Sequence, residues 1–122
     1  PNETEASFYV NHPVETHDDA SKAAKILLDM GIKNVIITLG EKGAYFANSS
    51  ETFSSPIANL SNLVVDTTGA GDAFNAGFAA ALTEGQNIKD AIAFASATAG
   101  LSTTKIGTAN SMPSREEIDK IF

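Results

Sequence analysis

Leu63-Val64-Val65-Asp66-Thr67-Thr68-Gly69-Ala70-Gly71-Asp72-Ala73-Phe74 reads as strand, glycine turn and helix in succession. The apolar run 63–65 predicts a strand that ends at a carboxylate, Asp66. Phe74, Phe78 and Leu82 recur at helical spacing, so a helix is expected from Ala73 to about Thr83. A glycine turn between strand and helix aims backbone N–H groups and a helix dipole at one spot, which suits an anion. The stretch lacks the Lys-Ser/Thr pair of a Walker A loop. It also lacks the third glycine of the dinucleotide fingerprint, since Phe74 stands there. Asp72 sits where those amides converge and would repel a phosphate, so two readings stay open. It is a helix N-cap, or a general base for a hydroxyl attacking that phosphate.

Together with two other stretches, this loop resembles a known family. Asp66-Thr67-Thr68-Gly69-Ala70-Gly71-Asp72 resembles the D-T-x-G-A-G-D signature of the ribokinase (PfkB) family of sugar kinases. Asn2-Glu3-Thr4-Glu5 is similar to that family's N-x-x-E motif, and Thr38-Leu39-Gly40-Glu41-Lys42-Gly43 to its nucleotide-contacting T-x-G-x-x-G turn. The wording of Asn2–Glu5 and of Met112-Pro113-Ser114-Arg115-Glu116-Glu117-Ile118 is similar to the family's ribose-phosphorylating members. The resemblance covers residues 1–122 but only the C-terminal, nucleotide-binding and catalytic portion of such an enzyme.

What the resemblance implies is phosphoryl transfer from MgATP to a sugar hydroxyl, with the 5-hydroxyl of ribose expected and fructokinase or adenosine kinase activity as alternatives. It makes Asp72 the general base, and the amides around Gly69, Ala70 and Gly71 the anion hole. ATP contacts are expected from Asn2, from Thr38, Leu39, Gly40, Glu41, Lys42 and Gly43, from Gly71 and Asp72, and from Ser96. Asn2 and Glu5 are expected to arrange a magnesium–water shell. A monovalent cation, potassium, is expected at Asp66, Thr68, Ser102, Lys105, Gly107 and Ser111, largely through carbonyl oxygens. The sugar contacts and a dimerising lid are expected in an N-terminal portion outside this chain. The parent is therefore expected to be a homodimer, and this piece to be inactive alone and prone to self-association through an unpaired sheet edge. A non-catalytic nucleotide-binding domain is the alternative from another class.

Composition bounds these expectations. With 122 residues, 43% of them apolar, and both charge signs dispersed, the chain is long enough for one globular domain. A net charge of −7 argues against nucleic acid or an anionic membrane as partner, but not against a nucleotide held by local amides and a metal. Absent cysteine fits a reducing cytoplasm. No apolar run approaches transmembrane length, no signal peptide is present, and the opening on Pro1 rather than Met reads as a fragment.

Along the chain, Asn2 and Glu5 also fit a capping box. His12 and His17, five residues apart, suit surface positions better than a metal site. Asp18 or Asp19 is expected to cap a helix to about Met30, with Ala20, Ala23, Ala24, Leu27 and Leu28 inward and Gly31 as its stop. Residues 34–39 predict a buried strand, and the glycine pair Gly40/Gly43 a hairpin turn into a strand over 44–47, with a further short strand over 51–54. Lys42 at that turn has the length to reach a phosphate. Residues 56–62 form a connection. Asn87 and Asp90 open a helix over Ile88 to about Leu101, whose inner face is small: Ala91, Ala95, Ser96, Ala99 and Gly100. That stripe means close helix packing or room for adenine. A polar loop, 102–113, precedes a last helix with a capping box at Ser114 and Glu117. Alternating strands and helices predict an α/β fold, the ribokinase-like three-layer sandwich with a largely parallel sheet, helices on both faces, and antiparallel strands around 43–54 at one edge.

Overall fold

A computed structural model describes residues 1–58, 60 and 63–122. Asn59, Ser61 and Asn62, part of the connection expected over 56–62, lie outside the described residues. The chain divides into two compact units, Pro1–Ser55 and Pro56–Phe122.

In the first unit, helices α1 (Glu3–Val10) and α2 (His17–Asp29) precede strands β1 (Asn34–Thr38), β2 (Ala44–Asn48) and β3 (Thr52–Ser55). Both helices start at reciprocal capping boxes, Asn2 with Glu5 and Thr16 with Asp19. The expected cap of α2 was Asp18 or Asp19. Thr16 takes that place because its hydroxyl accepts from the Asp19 N–H while the Asp19 carboxylate reaches back, which satisfies two helix-end donors at once. That exchange holds the Asp19 carboxyl below its ordinary range, the Thr16 hydroxyl being the main cause. Helix α2 ends at Met30, and Gly31 follows at φ 98°, a conformation that favours glycine.

The sheet is antiparallel in the order β1-β2-β3. Alternation along the strands sends Val35, Ile37, Tyr45 and Ala47 into one cluster with Ala20, Ala23, Ala24 and Leu27 of α2 and Ala6 of α1. Ile36, Phe46 and Phe53 lie in cross-strand register on the other face, the two phenylalanine rings 4.9 Å apart. The antiparallel strands expected around 43–54 are present. Parallel pairing is confined, among the described residues, to one bridge between Asn2 and Thr38.

In the second unit, residues 63–65 do not form the expected strand. A strand needs a neighbouring edge to complete its backbone hydrogen bonds. Here Val65 N–H and Asp66 N–H both donate to a single carbonyl, Thr103 O, at 2.8 and 3.1 Å. Leu63, Val64 and Val65 accordingly stand 58%, 48% and 61% exposed. Helix α3 (Ala70–Thr83) begins three residues earlier than expected, which moves Asp72 inside its first turn. Helix α4 (Ile88–Ser102) packs along α3, and α5 (Arg115–Asp119) closes the unit. Ala81, Ala91, Phe94, Ala97 and Ile118 form the core. Arg115 bonds Glu84 and Asp119 and lies 4.9 Å above the Phe94 ring, which raises its already high pKa mainly through Glu84. Among the described residues no helix is long and apolar enough to cross a membrane.

The small residues of α4 serve close packing at Gly77 of α3. A Cβ there would stand 2.6 Å from Thr98 Oγ1, 2.9 Å from Thr98 Cβ and 3.2 Å from Ala95 Cα. Gly→Ala on an open helix face gains up to about 1 kcal/mol. Gly77→Ala should instead destabilise the protein by about 1–3 kcal/mol, the usual cost of overpacking. Urea unfolding checks this, and a variant more stable than the parent would contradict the packing described.

Candidate functional site

Two clusters hold the residues singled out in the sequence, one in each unit. In the first, Thr38 N–H donates to Pro1 O at 3.0 Å, which sets Asn2 beside the end of β1. Asn2 Oδ1 accepts from Glu5 N–H at 2.8 Å, and Glu5 Oε2 accepts from Asn2 N–H at 2.9 Å. Both side chains are exposed while serving as caps, so the structural role expected of the pair is real. The Gly40–Lys42 turn that follows β1 is a single 3-10 turn. Gly40 at φ 54° and Gly43 at φ 88° take conformations that suit glycine, and a Cβ on Gly40 would lie 3.6 Å from Glu3 Oε1.

Hydrogen bonding limits what this turn offers a ligand. The N–H groups of Leu39, Lys42 and Gly43 are spent on Gly43 O, Leu39 O and Gly40 O. Leu39 sends its side chain into the core, at 4% exposure. Gly40 and Glu41 are exposed, and their amides find no backbone acceptor among the described residues. Lys42, expected among the nucleotide contacts, here donates from Nζ to Glu15 O at 2.7 Å.

The second cluster is organised by Asp66. Its Oδ1 accepts from Thr68 N–H at 3.0 Å and its Oδ2 from Gly107 N–H at 3.0 Å. These amides, that of Thr68 foremost, hold the Asp66 carboxyl below its ordinary 3.8. Gly107 takes part here through its N–H; its carbonyl, the group expected in the cation set, is not involved in this bond. Gly69 is the N-cap of α3 at φ 80°, and a Cβ on it would press on Thr108 Cγ2 at 3.3 Å. Asp72 is therefore not the N-cap, which removes that reading of it. It stands at the third position of α3, exposed, and its carboxylate accepts no hydrogen bond from a described residue.

Ala70 N–H is spent on Thr67 O at 3.2 Å, so the expected trio of amides is incomplete. The N–H groups of Gly69, Gly71 and Asp72 find no backbone acceptor among the described residues. Gly71 differs from Gly69 in a telling way. Its φ is not in the left-handed region, and a Cβ would meet nothing within 4 Å. Neither backbone conformation nor internal packing demands glycine there.

Of the other residues marked as cation ligands, Ser111 is fully buried and donates from Oγ to Thr108 O at 2.6 Å, and Ser102 donates to Ala99 O at 2.8 Å. Lys105 turns away to pair with Glu117 at 2.8 Å, leaving only its carbonyl for such a role. That pairing is the main reason the Glu117 carboxyl falls from 4.5 to about 2. Ser96 lies in α4, buried at 6% exposure. Two contributors escaped the sequence reading. Thr103 acts through its carbonyl and Thr108 through contact with Gly69, and the only signal for either was membership of the polar loop.

Among the described residues no group of three His, Asp or Glu side chains gathers as a metal site. A magnesium ion in such a place is held mainly by nucleotide phosphates and water with one or two protein oxygens, which Asn2 and Glu5 can supply. The oxygen-only set around Asp66 suits a hard cation.

The chain has the ribokinase-like α/β fold, as its likeness to solved structures shows. The structure of Arabidopsis thaliana ribokinase complexed with ribose and ATP matches it at a TM-score of 0.91 and 38% identity, over 99% of this chain and 39% of that one. Phosphofructokinase-2 from Escherichia coli in complex with potassium matches at 0.85 and 28%, over 99% and 38%. Ribokinase of Haemophilus influenzae is 42% identical over 117 residues, 96% of this chain and 38% of that protein. The profile of the pfkB family carbohydrate kinases matches residues 1–115, and the chain belongs to that family. It spans about two fifths of the length of these relatives.

The charge state of Asp66 and Glu117 gives a test. Because both are held low, their contribution is complete above their ordinary values of 3.8 and 4.5 and is lost as pH falls through the folded values. The amide resonances of Thr68 and Gly107 should therefore titrate together below pH 3.8. Amides that titrate separately, or above that value, would break the link drawn here.

Proposed function

We propose that this chain is the nucleotide-binding and phosphoryl-transfer portion of an ATP-dependent sugar kinase, with ribose as the acceptor. The observation that carries this is the start of α3, where the Asp72 carboxylate, with no hydrogen-bond partner among the described residues, stands beside Gly71, whose side-chain space is open. A glycine that neither conformation nor packing requires is explained by a ligand that approaches its backbone. A carboxylate placed among free amides is explained by proton transfer rather than by anion binding.

In this reading Asp72 accepts the proton of the attacking sugar hydroxyl. The free N–H groups of Gly69 and Gly71, with the dipole of α3, stabilise charge on the transferring group, and Ala70 contributes through the turn it closes with Thr67. Asn2 and Glu5 order magnesium-bound water. Thr38, Gly40, Glu41 and Gly43 meet the nucleotide through the turn, and Ser96 belongs to the adenine side. Magnesium supplies charge neutralisation at the phosphates. Asp66, Thr68, Ser102, Lys105, Gly107 and Ser111 hold potassium through oxygen atoms, in keeping with the potassium named for the phosphofructokinase-2 structure. Ribose is favoured by identity to ribokinase. Because the chain spans two fifths of those relatives, the sugar contacts are placed in the remaining length, and this piece alone should not turn over.

In the full-length protein, Asp72→Asn should lower turnover by about 10²–10⁴-fold, the range for a lost general base, while MgATP binding is kept. Steady-state kinetics with ribose, together with MgATP calorimetry, checks both halves. Turnover within a few-fold of the parent would remove Asp72 from the chemistry.

A further inference from the structure

Lys42 makes two contacts that the sequence did not announce, one through its side chain to Glu15 and one through its carbonyl to His17. Lys42 Nζ donates to Glu15 O at 2.7 Å, and Lys42 O lies 3.0 Å from His17 Nε2. A carbonyl only accepts, so Nε2 carries the proton and Nδ1 is left as acceptor for the Ser54 hydroxyl, 3.1 Å away. The residue after the two exposed amides of the Gly40–Gly43 turn is thus fastened twice to the segment that leads into α2. That segment is itself fixed. Val14 is buried, its N–H donates to Ser7 Oγ at 2.8 Å, and Thr16 and Asp19 close the capping box.

We propose that His17 and Lys42 form a strap that positions the Gly40–Gly43 turn for the nucleotide, so that both are positioning residues and Lys42 is not a phosphate ligand. The turn needs such a fastening. Two of its four residues are glycines at positive φ, and its internal bonds are the short-range ones of a single 3-10 turn. Without outside contacts a glycine-rich turn loses more freedom on ordering than other residues do. A nucleotide would then have to supply that ordering on binding. The proposal rests on the assignment of this turn to the nucleotide, but the strap itself can be read without any ligand.

The test uses the 122-residue chain with His17→Ala, Lys42→Met, the double variant and His17→Gln, which keeps a donor. In ligand-free protein, amide exchange at Lys42 and Gly43, whose N–H groups are bonded within the turn, should speed up about 3–10-fold in each single variant, the factor that one net hydrogen bond supplies. Exchange at Val35 and Ile37 should not change. MgATP affinity should fall by a similar factor in each single variant, and the double variant should be no weaker than the worse single one, because the two bonds act as a unit. His17→Gln should restore most of both readouts. Unchanged exchange in His17→Ala, with core amides intact, overturns the strap. So does a large loss of MgATP affinity in Lys42→Met with parental affinity in His17→Ala, which would make Lys42 a phosphate ligand. Failure of the parent chain to bind MgATP would count against the nucleotide assignment, while the exchange measurement still decides the strap.

Discussion

Asp66 is the point on which the second unit depends. Its two carboxylate oxygens accept from Thr68, two residues on, and from Gly107, 41 residues on, and so tie the turn before α3 to the loop after α4. Its own N–H joins that of Val65 on Thr103 O, a second tie to the same stretch. With the turn fixed at both ends, Gly69 caps α3 in its left-handed conformation, and the amides of Gly71 and Asp72 have no backbone acceptor among the described residues. Donors already oriented cost no reorganisation when charge develops in front of them. Lys105 supports this frame from a distance: its pairing with Glu117 fastens the start of the loop after α4 to α5.

Signals carried by one short stretch were legible in the sequence. Asn2/Glu5 and Ser114/Glu117 form the capping boxes that their spacing announces, Gly31 stops α2, and Gly40 and Gly43 mark the β1–β2 connection. The three motifs that suggested the pfkB family did so correctly, since each depends on residue type at fixed spacing. The Thr16 cap was missed because the two aspartates after it are equally good caps by type. Which of three adjacent candidates caps a helix is decided by where the helix begins.

What could not be read depends on partners distant in sequence. The run Leu63–Val65 has strand composition, yet strand formation is a property of an edge beside it, and here those side chains stay exposed. Lys42 has the reach for a phosphate, and the bond it makes to Glu15 O, 27 residues away, had no signal in the sequence. Gly107 was expected through its carbonyl, as one of the cation set; the bond from its N–H to Asp66, 41 residues away, had no signal in the sequence. Gly69 and Gly71 look alike in the sequence. Only the structure separates the one that conformation requires from the one that nothing internal requires.

In the proposed site, the amides and the open space at the start of α3 serve a nucleotide's phosphates. Backbone amide shifts of the 122-residue chain, recorded as MgATP is added, test it most directly. Saturable changes are expected, concentrated at Gly69, Gly71 and Asp72 and at Gly40 and Glu41, with Ser96 following. Changes confined to other surfaces, or none at Gly71 and Asp72 when the titration is complete, would contradict it.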